Sequence, residues 1–520
     1  MSAVQSAVQS AANADRPSAS ESGGDGARGR SPREKQSVST STLVIDVGTS
    51  GLRAAIVRDD ATVNHVHYRA FTPDTPFAGL VEFDATSMAA LVLEVAHLAL
   101  ADGGPVGAVG IANQRASTIV WDRATGVPIG PALGWQDLRT IGECMVAKAE
   151  HGFALAPNQS ATKVFSMLNT YDPGRERDLC FGTVDTWIAW TLSGGSLHVT
   201  DHTNAGVSGF LLADGSGWNH GVLDAFNIPE RMLPTLVDSC GIVGSATALP
   251  GAPRIGALVG DQQASLVGQG CVRPGMTKIT FGTGGMLDVV TGPGAPSSAS
   301  RSRNGTFPIV AWSHNGQRMW GTEAIMLSAG SNVEWLRDDL RIIADSADSH
   351  AVAAQCETTD GVVYVPALLG LGTPQWDYGA RGTLLGITRG TGRPQIVRAV
   401  LEGIAQRGAD LVDAAEAQSG LSIPALRCDG GMSVNPTFVH ALANATGKPV
   451  EVSPTTDATT LGAGLLAGVA IGTWSTIDEL ADTWRPATTV EPTAQLDRAR
   501  WAEALRRAGS WYPELSALDF

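Results

Sequence analysis

At 520 residues, 43% of them hydrophobic and 17% charged, the chain has the length of two domains and the polarity of an ordinary soluble protein. Its net charge of −15 argues against nucleic acid or an anionic membrane as partner, yet leaves room for a nucleotide held by a local cradle of backbone amides. Six scattered cysteines without a CxxC pair give no zinc or dithiol motif and point to a reducing, cytoplasmic setting; no apolar run has membrane-spanning length.

Residues 1–40 are Ser, Ala, Gly and charge with almost no large apolar side chains. They cannot bury enough surface to offset ordering entropy, so a disordered tail is predicted. A buried strand then runs from Leu43 to Gly48, turns through Thr49-Ser50-Gly51 and returns from Leu52 to Val57. Asp46 stands inside that apolar run, where a carboxylate is costly unless paired, hydrogen-bonded or near a metal. Two readings stay open: bonds to the adjacent turn amides, or a carboxylate facing a Mg²⁺-nucleotide.

A helix starts at Asp84 or Thr86 and stops at Gly103-Gly104-Pro105. The strand from Val106 to Ala112 ends in Asn113-Gln114-Arg115, polar groups where open α/β sheets hold ligands. After a strand at Ile119–Trp121, Trp135-Gln136-Asp137 precedes a helix from about Arg139. Pro157 to Lys163 reads as a polar loop, Thr183 to Trp190 as a helix, and Val199 to Asn204 as a loop near a cleft.

The stretch from Arg254 to Gly285 carries the chemistry. One apolar strand ends in Gly260 and is followed at once by Asp261, Gln262 and Gln263. The next, Thr277 to Phe281, ends in Gly282-Thr283-Gly284-Gly285. An acid can meet an alcohol, and bare turn N–H groups can meet a phosphate. On the residues alone the favoured reading of Asp261 is a helix N-cap. Further on come a helix around Ala329–Asn332, a strand at Val362–Pro366 and a long helix from Ile396 to Ala417. The strand Ala425–Cys428 then runs into Asp429-Gly430-Gly431, and Asn435 caps a helix with Pro436 at its first position. The strand Val450–Pro454 and a small-residue helix at Leu461–Ala470 follow. Ile45-Asp46-Val47-Gly48-Thr49-Ser50-Gly51 echoes Ile279-Thr280-Phe281-Gly282-Thr283-Gly284-Gly285, which suggests two related domains with a glycine turn each at one cleft. No GxxxxGK[ST] P-loop is present.

Taken together, IDVGTSG, GWQD, GDQQ, FGTGG and CDGG, with the piece from Gly382 to Glu402, resemble the FGGY family of carbohydrate kinases, its glycerol-phosphorylating branch in particular. The similarity runs from about Leu43 to Trp511. It implies an α/β fold of two actin-like, ribonuclease-H-like ATPase domains flanking a cleft, divided here as 41–269 and 270–520. It implies ATP and Mg²⁺ as cofactors, a small polyol or sugar as substrate, and a homo-oligomer.

By the same resemblance Asp261 is the general base, and Asp46 and Asp261 lie at the metal. Arg115, Trp135, Asn158, Asp261, Gln262 and Met286 line the alcohol pocket. Thr49, Ser50, Gly51 and Arg53 form the first phosphate loop, and Thr283, Gly330, Gly431 and Asn435 contact the nucleotide. Three of these surroundings depart from the glycerol branch: Ala116 stands for Glu, Asn158 for Tyr and Met286 for Phe. The expectation is therefore a kinase of glycerol or a related polyol, tetritol, pentitol or ketose, with a non-catalytic nucleotide- or sugar-binding sensor as the alternative.

Overall fold

The structure, a computed structural model, describes residues 39–518; the expected disordered tail falls almost wholly outside them. Thirteen strands form one sheet. They are β1 Thr42–Val47, β2 Gly51–Val57, β3 Val63–Ala70, β4 Ala108–Asn113, β5 Cys240–Ser245, β6 Arg254–Gly260, β7 Thr277–Phe281, β8 Gly285–Gly292, β9 Phe307–His314, β10 Gln317–Met326, β11 Leu426–Asp429, β12 Val450–Val452 and β13 Thr488–Val490. Across the sheet they run β13-β12-β11-β7-β8-β10-β9-β5-β6-β4-β1-β2-β3.

The echo in the sequence is an echo in topology. In the first half β1, β2 and β3 form an antiparallel meander, and β4 and then β6 add parallel to β1. In the second, β7, β8 and β10 form the meander, and β11 and then β12 add parallel to β7. Two ribonuclease-H-like units thus lie in one sheet. They meet where β5 bridges β9 at Cys240 and His314. Beside that bridge the Ser239 and Ser313 amides each donate to the other's Oγ, at 2.9 and 3.2 Å.

Six helices bear on the site: α1 Ala85–Gly103, α2 Ser160–Tyr171, α3 Asp261–Gly268, α4 Arg393–Ser419, α5 Pro436–Thr446 and α6 Ala458–Ile471. Three expectations need correction here. Helix α1 is long and apolar enough, by length and composition, to cross a membrane. The sequence reading missed this because scattered polar residues break its apolar run; its face of Met88, Val92, Val95 and Ala99 packs into the core of the first half. The polar loop expected at Pro157–Lys163 ends early, since α2 begins at Ser160 and already buries Lys163. Ala161, Val164 and Leu168 supply the helical spacing of apolar residues, and all three are fully buried. Similarly, Val199–Asp201 is a strand, and Asp201 caps the helical turn His202–Ala205.

Helix α6 belongs by sequence to the 270–520 portion, yet its side chains join Val44, Ala108, Ala257 and Val259 of the first half in one apolar cluster. Glycines let it lie backbone-on-backbone against α3. A Cβ on Gly462 would stand 1.8 Å from the Ala264 carbonyl oxygen, and one on Gly268 would stand 1.9 Å from that of Ala458.

Candidate active site

Three parallel strands end together. In register, Val47 of β1 faces Asn113 of β4, and Asn113 faces Gly260 of β6. Asp46, Arg115 and Asp261 therefore gather at one carboxyl edge, where open α/β sheets place their ligands. Asp46 accepts a hydrogen bond from Thr460 Oγ1 at 3.0 Å, and Arg53 Nε lies 3.6 Å away. Its partners are thus the first turn of α6 and Arg53 rather than the turn amides, and Arg53 also pairs with Asp457 at 2.8 Å. Burial pushes the Asp46 carboxyl up to about 6, against the pull of Arg53 and the Thr460 bond, and the charge of Asp261 raises it further.

Asp261 opens α3 as its first residue, while Gly260 takes the cap position. The Gly260 amide is held by Thr203 Oγ1 at 2.8 Å, and Asp261 Oδ1 accepts from the Gln262 amide at 2.8 Å. Arg115 Nε stands 3.7 Å from Asp261 Oδ1, and its Nη2 donates to Glu323 Oε2 at 2.6 Å. Burial raises the Asp261 carboxyl above the usual range, and Arg115 is the strongest opposing influence.

Sequence reasoning missed Glu323, Lys278 and Asp288. Lys278 on β7 faces Asp288 on β8 in register, and Asp288 faces Glu323 on β10. Lys278 Nζ pairs with Asp288 at 3.0 Å, both side chains fully buried, and donates to Gln262 Oε1 at 2.5 Å. The two acids and two bases therefore form a buried row reaching from Arg115 to Gln262. Its signal was available as single charges inside apolar strands, the same signal that singled out Asp46.

On the alcohol side, Trp135 Nε1 donates to Thr49 Oγ1 at 3.1 Å, tying this aromatic to the first glycine turn. Ala116 is buried with a left-handed φ of 63°. Asn158 is exposed on the turn before α2, and Met286 is half-buried on β8. Ser50 and Gly51 complete the first turn, with Gly48 N donating to Gly51 O at 2.9 Å.

In the second half the ends of β7 and β11 lie side by side, Thr280 facing Asp429. Gly430 needs its φ of +86°, and a Cβ there would come within 2.4 Å of the Phe281 carbonyl oxygen. Beyond these strand ends opens a cavity of about 530 Å³ lined by Thr283, Gly330, Glu334, His350, Gly431 and Asn435 among others. All four nucleotide residues expected in this half line it. Asn435 caps α5, its Oδ1 accepting from the Phe438 amide at 3.1 Å, and its Nδ2 donates to Ser349 Oγ at 2.9 Å.

A profile of the N-terminal domain of the FGGY family of carbohydrate kinases matches residues 41–268, and one of its C-terminal domain matches 277–471. The chain belongs to the FGGY family of carbohydrate kinases. Relatives of this FGGY kinase include the glycerol kinase of Aromatoleum aromaticum, 38% identical over 90% of this chain and 99% of that one. Glycerol kinase 2 of Thermotoga maritima is 37% identical over the same shares. The crystal structure of Plasmodium falciparum glycerol kinase with ADP superposes with a TM-score of 0.84 at 27% identity, covering 90% of this chain and 98% of that one. A xylulose kinase from Rhodospirillum rubrum shares the fold, with a TM-score of 0.78 at 21% identity and coverage of 91% and 99%. Like other FGGY kinases, this one is a phosphotransferase acting on an alcohol group, built on the two-domain actin-like fold.

Proposed function

We propose that the protein transfers the γ-phosphoryl group of ATP to a hydroxyl of glycerol or a closely related small polyol. The observation that carries this reading is the meeting of Asp46, Arg115 and Asp261 at one strand edge, beside the Thr49 turn. Support also comes from the glycerol kinases that match nearly the whole chain.

Phosphoryl transfer asks the protein mainly for positioning and charge neutralisation. Thr49, Ser50, Gly51 and Arg53 face the phosphates from one side and Thr283 from the other, while Gly330, Gly431 and Asn435 hold the nucleoside. Arg115, Gln262 and Trp135 orient the alcohol, with Asn158 and Met286 at the rim of its pocket. Asp261 accepts the hydroxyl proton as the new P–O bond forms. The residues fit Mg²⁺. Asp46 and Asp261 are two carboxylates, the charge of Asp261 raising the proton affinity of Asp46, and Mg²⁺ takes one or two carboxylates plus substrate phosphates. When bound, Mg²⁺ neutralises charge on the phosphate oxygens. Ala116, Asn158 and Met286 leave this pocket with one carboxylate and two rings fewer than the glycerol branch carries, which favours acceptance of a tetritol beside glycerol.

The test is a panel of polyols and sugars with Mg-ATP, read as ADP release, run on the wild type and on Asp261→Asn. The expected outcome is alcohol-dependent ADP release that Asp261→Asn abolishes while ADP binding persists. No release above background with any alcohol sinks the proposal.

A further inference from the structure

We propose that Lys163 is a positioning residue that shapes the alcohol pocket from behind, tying together the chain segments that form its wall. The inference rests on the reading of Arg115, Trp135 and Asn158 as that pocket.

Lys163 stands in the first turn of α2 and is fully buried. Its Nζ donates to the Gly134 carbonyl at 2.6 Å and to the Asn158 carbonyl at 3.2 Å. Gly134 directly precedes Trp135, and Asn158 is itself a pocket position. One residue-turn earlier, Ser160 Oγ donates to the Ala116 carbonyl at 3.2 Å. A single helical turn thus grips three separate segments, each beside a residue assigned to the alcohol. The segments at Gly134 and Ala116 are also bonded to each other, the Trp135 amide donating to Ser117 Oγ at 3.1 Å.

A lysine that only filled space would be an expensive choice here. Burying an ammonium costs several kcal/mol unless it is well paired, and the partners of Lys163 are two carbonyls. Burial pushes its pKa down to about 7, against the distant pull of Asp137. Either protonation state can serve, because a neutral amine still carries two N–H groups for two carbonyls. What the ammonium secures is the spacing between the Trp135 and Asn158 backbones. That spacing sets the width of the pocket rather than the geometry of the phosphate turns.

The experiment measures kcat and KM for glycerol and erythritol at saturating Mg-ATP, and KM for ATP at saturating alcohol. It compares the wild type with Lys163→Met and Ser160→Ala, and adds thermal melts with and without ADP. Lys163→Met keeps the chain length and removes the donors. It is expected to lower kcat/KM for the alcohols by about 10- to 100-fold, the cost of misplacing a reacting group by roughly an ångström. It should also change the glycerol-to-erythritol ratio, while KM for ATP and the ADP-induced rise in Tm stay as in the wild type. Ser160→Ala should move the alcohol constants the same way by less. Equal changes in the alcohol and ATP constants, or an unchanged alcohol ratio, overturn the positioning role. If Lys163→Met gives no cooperative melt, Ser160→Ala decides alone, and an unchanged alcohol KM overturns the proposal. A wild type that turns over no alcohol overturns the reading of the pocket itself, and the role of Lys163 with it.

Discussion

At the scale of single residues, the site is a problem of buried charge. Arg115 and Glu323 come from opposite halves and lose most of their hydration to meet at 2.6 Å. Such a pair contributes little net stability against apolar residues of similar volume, but breaking it is costly, because the remaining charge is left buried. Glu323→Gln should therefore destabilise the protein by about 3 kcal/mol in urea unfolding. The paired replacement Arg115→Met with Glu323→Leu should restore most of that loss yet show no alcohol-dependent turnover. If the single and double variants unfold alike, the pair is not the stabilising unit. Asp261 at 3.7 Å and Asp288 further along the row still face the unpaired Arg115 and soften the single change, which is why the expected loss sits at the low end.

At the scale of elements, glycines divide into those that hold the fold and those that open the site. Gly462 of α6 sits against the backbone of α3, where a Cβ would overlap the Ala264 carbonyl at 1.8 Å and must force the helices apart. Gly431, on the wall of the nucleotide cavity, has open space where its Cβ would go. Gly462→Ala should cost about 3 kcal/mol or more, read as a large fall in Tm. Gly431→Ala should leave Tm unchanged and raise KM for ATP. Equal losses of stability would refute this division of labour. Much of this level was legible in the sequence, because its signals are local. A strand ending in Gly-Thr-x-Gly, an Asn435 cap with Pro436 behind it, and an acid inside an apolar run each mark their own place. Lys163 was not legible as a buried group, because Pro157, Asn158 and Gln159 gave its neighbourhood a loop's composition. Its burial comes from segments around 116 and 134, which only the folded chain brings to it. Glu323 carried the local signal of an acid inside an apolar strand, but nothing local named its partner Arg115, which lies 208 residues away.

At the scale of the whole molecule, the order of the chain and the order of packing disagree, and that disagreement has a consequence. The sheet of the first half needs covers on both faces. One face receives α1, which the first half supplies. The other receives α6, which follows β12 in the chain and brings Leu465, Leu466 and Ala467 onto Val44, Ala108, Ala112 and Ala257. The first turn of the same helix reaches Asp46 and Arg53 through Thr460 and Asp457. A fragment of residues 39–268 therefore contains every strand of the first unit yet lacks the cover for one face of its sheet, along with the partners that hold two site residues. Large exposed apolar faces of this kind drive association rather than independent folding. The fragment alone is expected to aggregate, or to stay without a cooperative thermal transition. The same fragment with residues 457–482 joined through a flexible linker is expected to regain one, and substituting Gly462→Ala in that fusion should abolish the gain. A fragment that melts cooperatively without α6 would mean that the first half folds as an independent domain. The rescue arm separates this from mere insolubility, because it adds only the one helix and the short segment after it.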